Sequence, residues 1–195
     1  MSTLWNSANP RAWRDSLATY DAVIARQGVA KLPDRDRWYR EELPALIRNR
    51  KPAHVTLPDL VKLTEWKMSR GTWRAPNLLL VERNPAATVK AASAAALALI
   101  PDPKAPIGKL TELAGVGPAT ASAVLAAAAP ELYPFFDELV AAQIPNLGKV
   151  AFTLGYYVRY ADALRARAAA LGTDWTPVSI ERALWANAGG KAGGR

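Results

Sequence analysis

Apolar residues recur along this chain at intervals of three and four, and no segment alternates apolar and polar positions as a half-buried strand would. The clearest stripe follows Asn146. Its members, which would share one face of a helix, are Val150, Leu154, Tyr157, Ala161, Leu164, Ala168 and Leu171. The stripe predicts a long helix that opens at Asn146, and the whole pattern predicts an all-α fold.

Helix ends are predicted from capping residues, prolines and glycines, which favour the first and last turns of a helix. The predicted helices outside the central turn described below span residues 10–28, 36–50, 56–71, 78–82, 85–99, 146–171 and 177–188. Pro101, Pro103 and Pro106 interrupt the chain before one further pair of helices. Residues 189–195 are expected to form a disordered tail.

Composition narrows the class of protein. Half of the 195 residues are apolar, which is enough for a core, but no apolar run is long enough to cross a bilayer. The absence of cysteine excludes disulfides, thiolate zinc sites, cysteine nucleophiles and iron–sulfur clusters. No metal site built from side chains is expected, and the single histidine, His54, is assigned no role. Richness in alanine and arginine, with no secretory signal, favours a cytoplasmic protein.

The chain carries a net charge of +8, and most of the excess lies between Lys31 and Arg74. A basic surface suits the phosphate backbone of a nucleic acid or an anionic membrane surface. It also occurs simply as a solubilising surface. Charge alone therefore leaves the partner open.

The most informative segment runs from Leu110 to Pro130. Gly115 and Gly117 permit positive φ and a very short turn between two helices. The side chain of Val116, between the glycines, is expected to pack between the two helices. Pro118 suits the first position of the second helix.

The second helix of this pair would present free main-chain amides at its positive dipole end, around Ala119 and Thr120. No bulky side chain blocks access to them. Such amides bind anions, and a phosphate held by them is positioned without any reading of base sequence. The alternative is a plain helical hairpin with a glycine turn.

The run Leu113-Ala114-Gly115-Val116-Gly117 and the helix after it resemble the helix-hairpin-helix motif of the DNA glycosylase superfamily, which includes endonuclease III and the adenine glycosylases. In that family, a hairpin of the form Leu-x-Gly-Val-Gly is followed by a helix, a short loop and a catalytic aspartate. Asp137 stands in the corresponding place, and the resemblance covers about residues 107–140. It implies a two-lobed helical bundle, with residues 31–135 as the lobe that carries the hairpin and residues 1–30 with 137–188 as the second.

The resemblance also implies a chemistry. A glycosylase breaks the bond between a base and C1′ of its sugar, after the base has been turned out of the stack. An ionised carboxylate stabilises the positive charge that builds on the sugar and orients the attacking water. Asp137 fits that role by position, and it would also make a good helix N-cap.

Two departures from the family pattern concern the residues near Asp137. Bifunctional members carry a lysine where this chain has Ala119, so hydrolysis without a Schiff base is expected. Glu138 adjoins Asp137 and could raise its pKa or repel DNA. Phe135 and Phe136 are weak candidates for a base pocket, because they adjoin the same aspartate.

A second candidate surface lies on the predicted helix 56–71. Lys67 and Arg70, with Arg74 just beyond the helix, are expected to contact the DNA backbone. Trp66, framed by Lys62 and Arg70 four positions away on either side, could stack on a splayed base. The alternative is a tryptophan at the edge of the core that is covered by lysine and arginine stems.

Three hypotheses follow. The first is a monomeric, monofunctional DNA N-glycosylase for a damaged or mispaired base in double-stranded DNA, with no cofactor beyond a monovalent cation that such hairpins can bind. The second is a catalytically inactive helix-hairpin-helix DNA-binding module. The third is a helical protein-interaction domain with no nucleic-acid role.

Overall fold

The computed structural model describes residues 4–191, which form twelve α-helices and contain no strand. A 3-10 turn (Leu4–Asn6) precedes the first helix, and a π-helical segment (Trp38–Glu42) joins the third to the fourth. The helices are α1 (Pro10–Ala18), α2 (Tyr20–Ala25), α3 (Leu32–Arg37), α4 (Leu43–Asn49), α5 (Leu57–Arg70), α6 (Ala75–Glu82), α7 (Ala86–Ala98), α8 (Ala105–Leu110), α9 (Pro118–Ala128), α10 (Glu138–Ala141), α11 (Leu154–Leu171) and α12 (Pro177–Asn187). The prediction of an all-α fold is confirmed. None of the helices in this range is both long enough and apolar enough to span a membrane.

Side-chain caps fix several helix starts where the sequence predicts them. The Asn9 side chain accepts a hydrogen bond from the Arg11 amide at 3.0 Å, before the proline that begins α1. Thr56 and Thr176 open α5 and α12 with reciprocal capping boxes. Because each cap and its partner lie within three residues, local sequence is enough to predict these starts.

Several predicted boundaries are wrong. The helices predicted to begin at residues 36 and 78 begin at Leu32 and Ala75. The first predicted helix breaks at Thr19, whose hydroxyl donates to the Ser16 carbonyl at 2.7 Å, and the chain continues as α2. The helix predicted to open at Asn146 begins instead at Leu154. Asn146 lies in a turn with φ +66°, and Thr153 is the residue that caps α11.

The helices pack in two neighbourhoods. α12 packs against α1, α2, α10 and α11, whereas α9 packs against α4, α5 and α8. One continuous apolar core connects them and includes the fully buried Trp13, Trp66 and Trp185. The end of α5, the turn before α9 and the segment before α10 line one common cavity.

Residues 189–191 form a turn in which Gly189 and Gly190 donate hydrogen bonds to carbonyls of α12. The disordered tail predicted for residues 189–195 is therefore wrong for its first three members, because these bonds attach them to the last helix. The rest of that prediction, residues 192–195, lies outside the described residues.

Candidate nucleic-acid interface and active site

The two glycines of the turn between α8 and α9 have different conformations. Gly115 has φ +74°, whereas Gly117 has φ −96°, a value that any residue adopts. A Cβ on Gly115 would lie 2.8 Å from the Asn77 carbonyl oxygen, but on Gly117 it would meet nothing within 4 Å. The expectation that both glycines serve positive φ is thus corrected: Gly115 permits close packing, and Gly117 leaves the start of α9 open.

Val116 is buried between the helices, and its amide donates to the Leu113 carbonyl at 3.1 Å. Its predicted contact with DNA is wrong, because neither its side chain nor its amide is free. By contrast, the amides of Gly117, Ala119 and Thr120 have no acceptor among residues 4–191. They lie at the N-terminus of α9, where the helix dipole is positive.

Two asparagines attach this turn to α6. The Asn77 side-chain amide donates to the Gly115 carbonyl at 2.9 Å, and that of Asn84 donates to the Ala114 carbonyl at 2.9 Å. The Leu113 carbonyl accepts from the Val116 amide, so three successive carbonyls of the turn, those of residues 113 to 115, accept hydrogen bonds. A carbonyl oxygen has two lone pairs, so these bonds do not exclude a cation, and the expected monovalent cation stays a prediction.

A cavity of about 240 Å³, here called the cleft, opens beside the turn. It is lined by the turn, the end of α5, the start of α6 and the segment before α10. The sequence-predicted residues that line it are Lys67, Arg74, Gly115, Gly117, Ala119, Thr120, Phe135, Phe136 and Asp137. Residues from three distant parts of the chain therefore converge on one volume.

Asp137 both caps α10 and lines the cleft. Its Oδ1 accepts a hydrogen bond from the Leu139 amide at 2.8 Å, and its Oδ2 lies 3.5 Å from Nε of Arg70. The second contact is an ion pair without a hydrogen bond, since that Nε has no acceptor within the described range. Burial raises the pKa of the Asp137 carboxyl, while Arg70 and the Leu139 amide oppose this effect. Glu138, which is exposed and lies 3.6 Å from Nζ of Lys191, adds a smaller upward effect.

Two predicted DNA contacts are buried and are therefore wrong. Arg70 is 2% exposed and donates to the Glu181 carboxylate, so it cannot reach a phosphate backbone. Trp66 is fully buried and stacks on Tyr39, with ring centroids 3.6 Å apart. Its indole N–H donates to Asp36 at 2.9 Å. Trp66 therefore belongs to the core and does not line the cleft.

The other two predicted cations lie at the cleft. Lys67 is partly buried on α5, and Arg74 is exposed just before α6. Burial lowers the pKa of the Lys67 ammonium, and the charge of Arg74 lowers it further. These two side chains supply positive charge beside the free amides of α9.

Sequence reasoning missed three residues of the site. Phe152 lines the cleft with 48% of its side chain exposed, and its ring centroid lies 5.1 Å from that of Phe136. Asn77 lines the cleft and holds the turn. Glu181 lies behind the cleft, bonded to Arg70. An aromatic residue between glycines is a weak signal for Phe152, and nothing in the sequence pairs Glu181 with an arginine 111 positions away.

Comparison of the chain with protein-family models, with curated proteins and with solved structures finds no match. Within residues 4–191, no group of three or more histidine, aspartate or glutamate side chains is arranged to hold a metal ion. The function therefore has to be argued from the geometry of the cleft itself.

Proposed function

We propose that this protein is a monofunctional DNA N-glycosylase of the helix-hairpin-helix kind, which hydrolyses the N-glycosidic bond of a damaged or mispaired base in cytoplasmic double-stranded DNA. One observation carries the proposal. The Asp137 carboxylate and the unpaired amides at the start of α9 line the same cleft. An anion-binding group and a carboxylate beside it are the two parts that hydrolysis at a sugar–phosphate strand requires.

DNA binding would depend on the main chain and on two cations. The amides of Gly117, Ala119 and Thr120 would donate to phosphate oxygens, because they are unpaired and lie at a positive helix end. Lys67 and Arg74, which line the same cleft, would add positive charge. Such contacts position the strand without reading its sequence, so selectivity would depend on the extruded base.

Asp137 would act on the sugar of that nucleotide. The base leaves with the electrons of its bond to C1′, and positive charge develops on the sugar. The carboxylate stabilises this charge and accepts a proton from a water molecule, whose oxygen forms the new bond to C1′. Ala119 carries no amine, so no Schiff base forms. The exposed face of Phe152 would stack on the extruded base.

The second candidate function is a DNA-binding module without chemistry. It is favoured by the 8% exposure of Asp137 and by the ion pair of this residue with Arg70. A carboxylate used only as a helix cap needs no more exposure than this. The amides of α9 would bind phosphate in either case.

The two candidates are distinguished by Asp137→Asn, measured as base release from duplexes that each carry one of a broad panel of lesions and mispairs. Asparagine also caps helices well, so α10 and DNA affinity should be retained. The glycosylase proposal predicts a loss of base release of a hundredfold or more, on the order expected for a group that stabilises developing charge. Asp174→Asn, at an exposed aspartate outside the cleft, is the matched control. If the wild type releases no base from the panel but binds DNA, the module is correct.

A further inference from the structure

A charged cluster is buried directly behind Asp137. Arg70, at the end of α5, donates from Nη2 to the Glu181 carboxylate and from Nη1 to the Tyr20 hydroxyl at 3.2 Å. Its Nε lies 3.5 Å from Oδ2 of Asp137. The guanidinium is also 4.4 Å from the ring centroid of Trp185, which closes the cluster on another side. One cation thus contacts two carboxylates, one at the N-cap of α10 and one inside α12.

Arg70, Glu181 and Asp137 are all buried, so an unbalanced charge among them would be costly. Arg70 is 2%, Glu181 1% and Asp137 8% exposed. Two ionised carboxylates that share one buried cation leave an uncompensated negative charge, which is costly away from water. One of the two carboxyls is therefore expected to hold a proton at neutral pH.

Geometry assigns that proton to Glu181. Asp137 accepts a hydrogen bond from the Leu139 amide and lies at the N-terminus of α10, and both features favour its charged form. Glu181 lies inside α12, away from any helix start, and is the more deeply buried of the two. In agreement, burial raises the pKa of Glu181 to about 7, although Arg70 opposes the shift.

The remaining titratable groups around the cluster either have their own partners or lie at its edge. Asp36 accepts from Nε of Arg40 at 2.7 Å, so it has a separate counterion. The other groups that act on Arg70, Asp137 or Glu181 are Tyr20, Tyr160, Glu138 and Arg182. Arg70 is thus the cation in contact with Asp137.

We propose that Arg70 is a positioning residue for Asp137, which it keeps ionised and directed at the cleft, and that Glu181 holds the proton that the shared cation cannot balance. The inference deepens the proposed glycosylase function and rests on it for its purpose. The electrostatic arrangement itself can be measured without any substrate.

The test is a carbon NMR titration of the Asp137 and Glu181 carboxyls. In the wild type, Glu181 should titrate at a higher pH than Asp137. Because Arg70→Met alone would leave two buried carboxylates without a counterion, the comparison uses Glu181→Gln as the reference and Arg70→Met/Glu181→Gln as the test. Loss of the guanidinium should raise the Asp137 midpoint by about one pH unit or more, a tenfold change in ionisation. Arg70→Lys/Glu181→Gln, which keeps a cation, should bring the Asp137 midpoint most of the way back to its value in Glu181→Gln.

Base release supplies the second measurement. The acid limb of its pH profile should move upward with the NMR midpoint in the Arg70→Met/Glu181→Gln protein. Arg50→Met is the matched control, because Arg50 forms a partly buried ion pair with Asp59, at 2.6 Å, elsewhere on the molecule. Arg50→Met should lower the free energy of unfolding without moving the NMR midpoint of Asp137 or the acid limb of the base-release profile.

The outcomes separate the two proposals. An Asp137 midpoint that is unchanged on loss of Arg70, or a Glu181 that titrates below Asp137, overturns the positioning role even when base release is normal. Shifted midpoints in a protein that releases no base from any duplex overturn the glycosylase proposal and leave the electrostatic coupling established.

Discussion

Asn84 and Ala114 are joined by two hydrogen bonds: the Asn84 side chain donates to the Ala114 carbonyl at 2.9 Å and accepts from the Ala114 amide at 3.0 Å. Asn84 follows α6, and Ala114 immediately precedes the left-handed glycine of the turn. One buried side chain thereby attaches the turn to a helix 30 positions earlier in the chain.

Replacement of Asn84 by alanine should lower the free energy of unfolding by about 2 kcal/mol, because each of the two hydrogen bonds contributes about 1 kcal/mol. DNA affinity should fall as well, since the turn loses its attachment. Urea unfolding and fluorescence anisotropy measure the two effects. Asn49→Ala, at an exposed position, is the control and should change stability by less than about 0.5 kcal/mol. Equal effects of the two substitutions would contradict the role given to Asn84.

The two glycines of the turn should respond differently to alanine. Gly115→Ala should lower the free energy of unfolding by more than about 2 kcal/mol. Alanine is strained at the positive φ of this position, and its Cβ would also clash with the Asn77 carbonyl. Gly117→Ala should cost less than about 1 kcal/mol, the loss expected at a helix N-cap. It should still weaken DNA binding, because a methyl group would stand beside the free amides. Thermal unfolding and anisotropy of both variants check this contrast, and a stable Gly115→Ala protein would refute it.

Lys67 and Arg74 should account for part of the salt dependence of DNA binding. Each neutralising substitution, Lys67→Gln or Arg74→Gln, should reduce the slope of log affinity against log salt by about 1, similarly for every sequence. Lys62 is the matched control. It lies on the same helix as Lys67 but covers the ring of Trp38, with Nζ 4.4 Å from the centroid, and does not line the cleft. A slope that falls equally in Lys62→Gln would show that the cleft is not the binding face.

Glu181 should make the folded protein less stable as the pH rises. Burial raises the pKa of its carboxyl to about 7 from an ordinary value of 4.5. Between these values the folded protein holds a proton that the unfolded chain releases, so this contribution is complete below about pH 4.5 and is lost as the pH approaches 7. Relative to Glu181→Gln, the wild type should lose on the order of 2 kcal/mol between pH 5 and pH 8. Urea unfolding of both proteins at several pH values measures the difference, and parallel curves would contradict it.

Local chemistry explains which elements could be predicted from sequence. Thr56 and Thr176 cap helices through partners three residues away, so their roles are visible in a short window. Asn146 and Thr153 are both capping types before the same apolar stripe, and the window does not choose between them. The structure does, because Asn146 adopts φ +66° in a turn, whereas the Thr153 hydroxyl accepts a hydrogen bond from the Tyr156 amide in the first turn of α11.

Partners distant in sequence explain what could not be predicted. The spacing on α5 places Trp66 and Arg70 on one side of a helix, but it does not show what covers that side. Tyr39 and Glu181, from segments before and far after α5, bury them. Lys67, one position from Trp66, lies on another side of the helix and lines the cleft. Burial here depends on tertiary packing that periodicity alone does not contain.

The ion pair of Arg70 with Asp137 also limits how the molecule can move. The arginine ends α5, whereas Asp137 lies in the segment before α10, so moving these two segments apart would separate a buried ion pair at a cost of several kcal/mol. This contact therefore opposes movement of the two segments apart. Under the proposed function, a duplex in the cleft would therefore have to supply the distortion itself, and bases that are already poorly paired or stacked would do so most easily.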